Sequence, residues 1–208
     1  MNIFDSNVAV GQFRAFYEFS LPDNQGLTNA SVGIVGAPGD LFNDHDDASF
    51  DLVRLGSEAS YCYAYGEVER LQRLPGDFTL RLKIRGQATA NRLGATEQLL
   101  PGGYNTVRGF DEAVIRGDSG LISNLELISP AFSLLDAFDA SINDNWNALV
   151  FYDAAVMRIS EAFPVEVGQS LQSVGVGLNC SFGDHGYACA SYGREVASHG
   201  LFAVKDGG

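Results

Sequence analysis

The chain has 208 residues, a net charge of −13, and 24 glycines and 14 phenylalanines and 8 tyrosines beside a single tryptophan. The acidic balance argues against nucleic acid as a partner, because phosphate binding needs a basic surface. No apolar run reaches the length of a membrane-crossing helix, which leaves a membrane barrel open, since barrel strands carry apolar residues on one face only.

The start, "MNIFDSNVAV", shows no basic segment followed by an apolar one, so no signal peptide is visible. From there the chain reads as strands. Phe13, Ala15, Tyr17 and Phe19 alternate with Arg14, Phe16, Glu18 and Ser20. Ala59, Tyr61, Tyr63 and Tyr65 form a tyrosine-rich face. In "DFTLRLKIRGQAT" (77–89), Phe78, Leu80, Leu82 and Ile84 take one side, and Arg81, Lys83 and Arg85 take the other. A period of two places residues on alternate faces of a strand, whereas a helix would scatter these charges around its circumference. Leu121, Leu125 and Leu127 oppose Asn124 and Glu126, and residues 149, 151, 153 and 155 share a face. Val174, Val176, Leu178, Cys180 and Phe182 oppose Gly175, Gly177, Asn179, Ser181 and Gly183. The pattern predicts eight strands, near 10–20, 28–36, 56–70, 77–90, 119–130, 146–157, 170–182 and 186–194.

Periodicity alone is compatible with a membrane barrel, a soluble barrel or a β-sandwich. Three features favour the membrane barrel. Several strands reach ~10 residues, enough to span when tilted. Connections alternate between short ("GDHG", 183–186) and long (36–50, 91–118 and 158–169). Several polar faces carry glycine and serine rather than charge. In a barrel, Arg81, Lys83 and Arg85 line a water-filled lumen, because a charge at the lipid midplane costs ~2–4 kcal/mol. Glu18, Glu126 and Asp153 are the partners offered by other polar faces.

The stretch "GATEQLLPGGYNTVRGFDEAVIRGDSGLISNLELISP" (94–130) resembles the haemolysin-activator family, the outer-membrane translocators of two-partner secretion, in the superfamily that includes the barrel-assembly machinery. The resemblance rests on an ordered set: Gln87-Ala88, Glu97-Gln98-Leu99, Gly102-Gly103, Val107-Arg108-Gly109-Phe110, Gly117-Asp118-Ser119-Gly120, Glu126 and Pro130. Downstream, "ALVFYDAAV" is similar to the family's Phe-x-Asp-x-Gly strand, with Phe151 and Asp153 in place and Ala155 where the family has glycine. "LQSVGVGLNCSF" resembles the strand after it. The likeness runs from about residue 10 to 193 and is specific from 87 to 182.

The resemblance implies an all-β fold, an antiparallel transmembrane β-barrel. Residues 1–208 would be the C-terminal half of a sixteen-stranded barrel, a single domain with loop 91–118 inserted into the lumen and without the family's periplasmic POTRA domains. "SHGLFAVKDGG" lacks the aromatic terminal residue of the family's last strand, so a fragment is expected. The resemblance also implies that Arg108 contacts Asp153 inside the lumen. The acid on that face needs a partner, the guanidinium fork suits a carboxylate, and Glu126 is a second acceptor. Gly102, Gly103 and Gly109 supply the turns of the loop tip. The implied function is passage of an unfolded exoprotein across the outer membrane of a Gram-negative-type cell. It involves no enzyme activity, cofactor or metal. The partners are the exoprotein and outer-membrane lipid, and the barrel is monomeric. Two alternatives are a barrel-assembly insertase and a soluble β-sandwich binding module.

Other motifs yield to simpler readings. "GDSG" (117–120) lacks the histidine context of a serine protease, and "RGD" (116–118) belongs to the same family segment. The acidic stretch with Asp40, Asp44, Asp46, Asp47 and Asp51 lacks EF-hand spacing and reads as a solvated loop. The histidines and cysteines show no zinc spacing. If "GDHG" closes a tight hairpin, Cys180 and Cys189 face each other, either as a cross-strand disulfide or as two small apolar neighbours on the lipid face. Cys62 has no evident partner.

Overall fold

The computed structural model describes residues 8–41, 43–134, 144–183 and 186–200. The expectation drawn from the terminal "LFAVKDGG" lies outside them, as does the one drawn from the first seven residues. All eight predicted strands are present: β1 (Phe13–Asp23), β2 (Gly26–Pro38), β3 (Ser60–Arg73), β4 (Thr79–Ala88), β5 (Ser119–Ile128), β6 (Asp144–Arg158), β7 (Gln169–Phe182) and β8 (Gly186–His199). They form one antiparallel meander in chain order. Strand lengths of 10 to 15 residues suit a tilted crossing of a bilayer. Among the described strands nothing joins β1 to β8, so the sheet is an open, curved wall: part of a barrel.

Alternation sorts the wall into two faces. Val32, Ile34, Leu121, Val150, Val156 and Val176 point outward and are about half exposed. Contiguous apolar exposure on this scale is unusual on a protein surrounded by water and ordinary on one surrounded by lipid. The inner face is polar around β3 and β4. There the expected partners need correction. Arg81 pairs with Glu69 at 2.5 Å and with Glu126 at 3.4 Å, while Lys83 and Arg85 share Glu67 at 3.0 and 2.9 Å. Glu18 and Asp153 take no part. The register sets Lys83 opposite Glu69 and Arg85 opposite Glu67, so the nearest acids lie on the adjacent strand. The tyrosine face of β3 continues into these two glutamates.

Three long connections, 39–59, 89–118 and 159–168, leave the same end of the wall. The β2–β3 connection holds a short helix, α1 (Asp47–Val53), which the sequence reading took as plain loop. Its Phe50 is buried with Val35, Ala37, Ala59, Tyr61 and Leu93. The acidic stretch is structural. Asp46 caps the helix by accepting from the Ser49 N–H, Asp47 accepts from the Ala59 N–H at 2.8 Å, and Asp51 accepts from the Gly56 N–H at 2.6 Å.

Cys180 and Cys189 do not face each other. Gly183 leaves the ladder with φ +49°, Phe182 pairs with Gly186, and a three-residue connection replaces the expected two-residue one. That shift pairs Cys180 with Ala188 and Cys189 with Asn179, which places the two cysteines on opposite faces. Both are free thiols. Cys180 is buried on the outer side, and Cys189 faces the lumen, where its Sγ lies 3.1 Å from the Tyr104 hydroxyl.

Candidate functional site

The β4–β5 connection (89–118) folds back onto the inner face of β5 to β8. Its tip is a tight hairpin. Gly102 and Gly103 adopt φ +122° and +88°, a region that glycine enters freely. The Thr106 hydroxyl accepts from the Gly102 N–H at 2.8 Å and donates to the Gly102 carbonyl at 2.7 Å. The Gly103 N–H donates to the Phe110 carbonyl. Val107 is fully buried against Ile115, Ile122, Ala155, Met157 and Leu171, with Phe110 packed on the cluster's edge. Ala155, in the family's glycine position, fits this apolar contact with its methyl group buried.

Arg108 lies beside this plug and is held from three directions. Its Nε and Nη2 donate to the Asp153 carboxylate at 2.8 and 2.9 Å, and its backbone N–H donates to the same group at 3.1 Å. Nη1 reaches Glu126 at 2.8 Å. The guanidinium carbon sits 3.6 Å from the centroid of the Phe151 ring, a cation–π contact. Asn124 donates to Asp153 at 2.8 Å and to the Thr106 carbonyl at 2.6 Å, tying wall to loop. Asp153 is wholly buried and the Arg108 side chain is 11% exposed. The structure thus brings Val107, Arg108, Gly109, Phe110, Phe151, Glu126 and Asp153 together. Arg81 touches the group only through Glu126, and Lys83 and Arg85 stand apart on Glu67.

Sequence reasoning missed the floor of this site. Gly193 of β8 lies directly beneath the loop backbone: a Cβ placed there would come within 2.7 Å of the Arg108 carbonyl carbon. Gly175 lies under the Phe151 ring, where a Cβ would overlap it. Alternation on β7 puts Gly175 on its glycine-bearing face, and nothing in the sequence pattern of β8 singles out Gly193.

The sequence profile of the family described as haemolysin secretion/activation protein ShlB/FhaC/HecB matches residues 39–177. The chain belongs to this family. Its barrel wall is that of an outer-membrane protein of a Gram-negative-type cell. The solved structure titled CdiB from Escherichia coli is similar in fold, with a TM-score of 0.70 at 17% sequence identity over 90% of this chain. The match covers 33% of that protein, so the chain spans about a third of its length. No curated protein matches the sequence. No helix among the described residues is long and apolar enough to cross a membrane.

A second set of arginine contacts ties the long connections together beyond the strands. Arg92 grips Glu166 through two bonds of 2.7 Å, donates to the Leu55 carbonyl at 2.7 Å and lies over the Phe163 ring. The Arg92 guanidinium, with help from the Phe163 N–H, holds the Glu166 carboxyl down at about 2, against 4.5 for an ordinary one. A depressed carboxylate favours the folded loop at any pH above the ordinary value and loses that contribution as pH falls toward the depressed one. Hydrogen-exchange protection in 159–168, taken relative to the intrinsic rate at each pH, should therefore be constant down to about pH 4.5 and fall between there and about 2. Unchanged protection across that window would show that the pair does not hold the loop.

Proposed function

We propose that residues 1–208 form the C-terminal half of a sixteen-stranded outer-membrane barrel that exports an unfolded exoprotein by two-partner secretion. Loop 91–118 inserts into the pore and sets its working conformation. The observation that carries this reading is Arg108, buried in the lumen and shared between Asp153 and Glu126. A loop with only a surface role has no reason to bury a charge, because desolvation is large unless the charge is fully paired. The paired charges of β3 and β4 give the inner wall both signs and a wet surface that an extended chain can pass without sticking. The outward apolar band meets outer-membrane lipid, and the barrel acts as a monomer. The process breaks no covalent bond and needs no cofactor. The family match supports export over barrel assembly.

Arg108→Ala in the full-length protein tests the reading. Secreted exoprotein should fall severely while the barrel still inserts as a heat-modifiable species. Secretion at the wild-type level would overturn the role given to the loop.

A further inference from the structure

The inserted loop is fastened at a second place, far along the chain from its tip. Asp118, at the loop's return to β5, is wholly buried and accepts four hydrogen bonds. Arg54 supplies two, at 2.6 and 3.0 Å. The Gln98 side-chain amide supplies one at 3.0 Å, and the Ser160 N–H another at 2.9 Å. These donors come from three different connections: Arg54 from β2–β3, Gln98 from the descending limb of the inserted loop, and Ser160 from β6–β7. Arg54 also donates to the Leu93 carbonyl, and Gln87 donates to the Asp118 carbonyl at 3.0 Å. Just inside, Leu99 and Gly117 exchange backbone bonds of 2.9 and 3.0 Å and close the neck of the loop. The Arg92–Glu166 brace joins the same three connections again.

We propose that this loop has two independent anchors. The Asp118 knot is a fixed root that binds the three surface connections into a roof over the pore mouth, and the Arg108 site is a tip that can release while the root holds. The two sites share no residue. The tip's partners line the lumen, where a passing polypeptide competes for them, whereas the donors to the Asp118 carboxylate all lie beyond the strands. A buried carboxylate with four donors is not needed to hold the sheet, whose strands pair through their backbones. It is needed to keep both limbs of a 30-residue excursion at one point. The inference rests on the translocator reading for the meaning of the lumen, but its test requires no cargo.

The test is labelling by a membrane-impermeant maleimide in the full-length protein, with Cys62, Cys180 and Cys189 replaced by serine. Ser57→Cys reports the root: Ser57 is buried beside Arg54, whose carbonyl it bonds at 2.8 Å. Ser173→Cys reports the tip: it faces the lumen opposite Asp153 yet is fully buried, so the loop covers it. Asp118→Asn should speed labelling at residue 57 by roughly a hundredfold or more and leave residue 173 protected, since losing one member of a buried pair strands the other. Arg108→Ala should do the reverse. If Asp118→Asn fails to reach the membrane, Arg54→Gln is read in the same way from the other side of the pair. Exposure of both positions by either root variant would mean a single cooperative anchor, and exposure of neither would mean no anchor at Asp118. Each result overturns the proposal, whatever the export assay shows.

Discussion

Asp153→Ala should release the loop tip and abolish most secretion while leaving the sheet intact. Asp153 accepts three bonds from Arg108 and one from Asn124. Its removal leaves Glu126 as the guanidinium's one carboxylate partner and strips the Arg108 N–H of its bond to the wall. Breaking one side of a buried pair costs about 3–5 kcal/mol, because the remaining charge is left without compensation. At about 1.4 kcal/mol per tenfold, that is a shift of roughly a hundredfold to several thousandfold toward the undocked loop. The β6 ladder runs through backbone groups, so the barrel should still insert and resist heat as the parent does. The double variant Arg108→Ala/Asp153→Ala should secrete about as poorly as either single one, since the two residues act as a unit. Losses that multiply would mean that Asp153 works through something other than Arg108. Asp153→Asn should be milder, because its amide oxygen still accepts from the arginine.

Strand identity was legible in the sequence because period-two alternation is a local property, and on β4 and β7 it is nearly unbroken. The tip site was legible through the family resemblance, which implies the contact of Arg108 with Asp153. The parity of β6 agrees with it by placing Asp153 and Phe151 on one face. What stayed hidden depends on register, which alternation does not encode. Glu67 and Glu69 were overlooked because only the pairing of β3 with β4 makes them neighbours of Arg85 and Lys83. The cysteine pairing failed for want of one residue in the β7–β8 turn, which reverses every facing relation between those strands. Asp118 was noticed only as part of a Gly-Asp-Ser-Gly string. Its partner Arg54 is 64 residues away, after a short helix whose one buried side chain, Phe50, gives too little pattern to detect. The signal that could have found this knot is the acid itself, between Gly117 and Ser119 at the start of a strand where no local cap needs it.

Gly193→Val should undock the tip even though every charged member of the site remains. The β8 backbone at Gly193 lies outside the left-handed region, and valine favours strands, so the change does not strain the sheet. Its Cβ would stand 2.7 Å from the Arg108 carbonyl carbon, 2.8 Å from the Gly109 nitrogen and 2.9 Å from the Arg108 carbonyl oxygen. All three are backbone atoms, so no rotamer change relieves the clash, and overpacking of this kind costs about 1–3 kcal/mol. Gly109 meets the same constraint from the other side. A Cβ there would lie 2.7 Å from the Gly193 carbonyl carbon, and its φ of +91° disfavours any other residue. The glycine after the arginine is therefore explained by contact as well as by conformation: two backbones touch with no side chain between them, which brings Arg108 within reach of Asp153. Gly36→Ala is the matched control, since its Cβ meets nothing nearer than 4.0 Å. Gly193→Val should lose secretion and expose Ser173→Cys to labelling as fully as Arg108→Ala, while Gly36→Ala changes neither. If Gly193→Val secretes normally, the loop tip does not rest on β8 in the working pore, and the arginine contact is not positioned by this glycine pair.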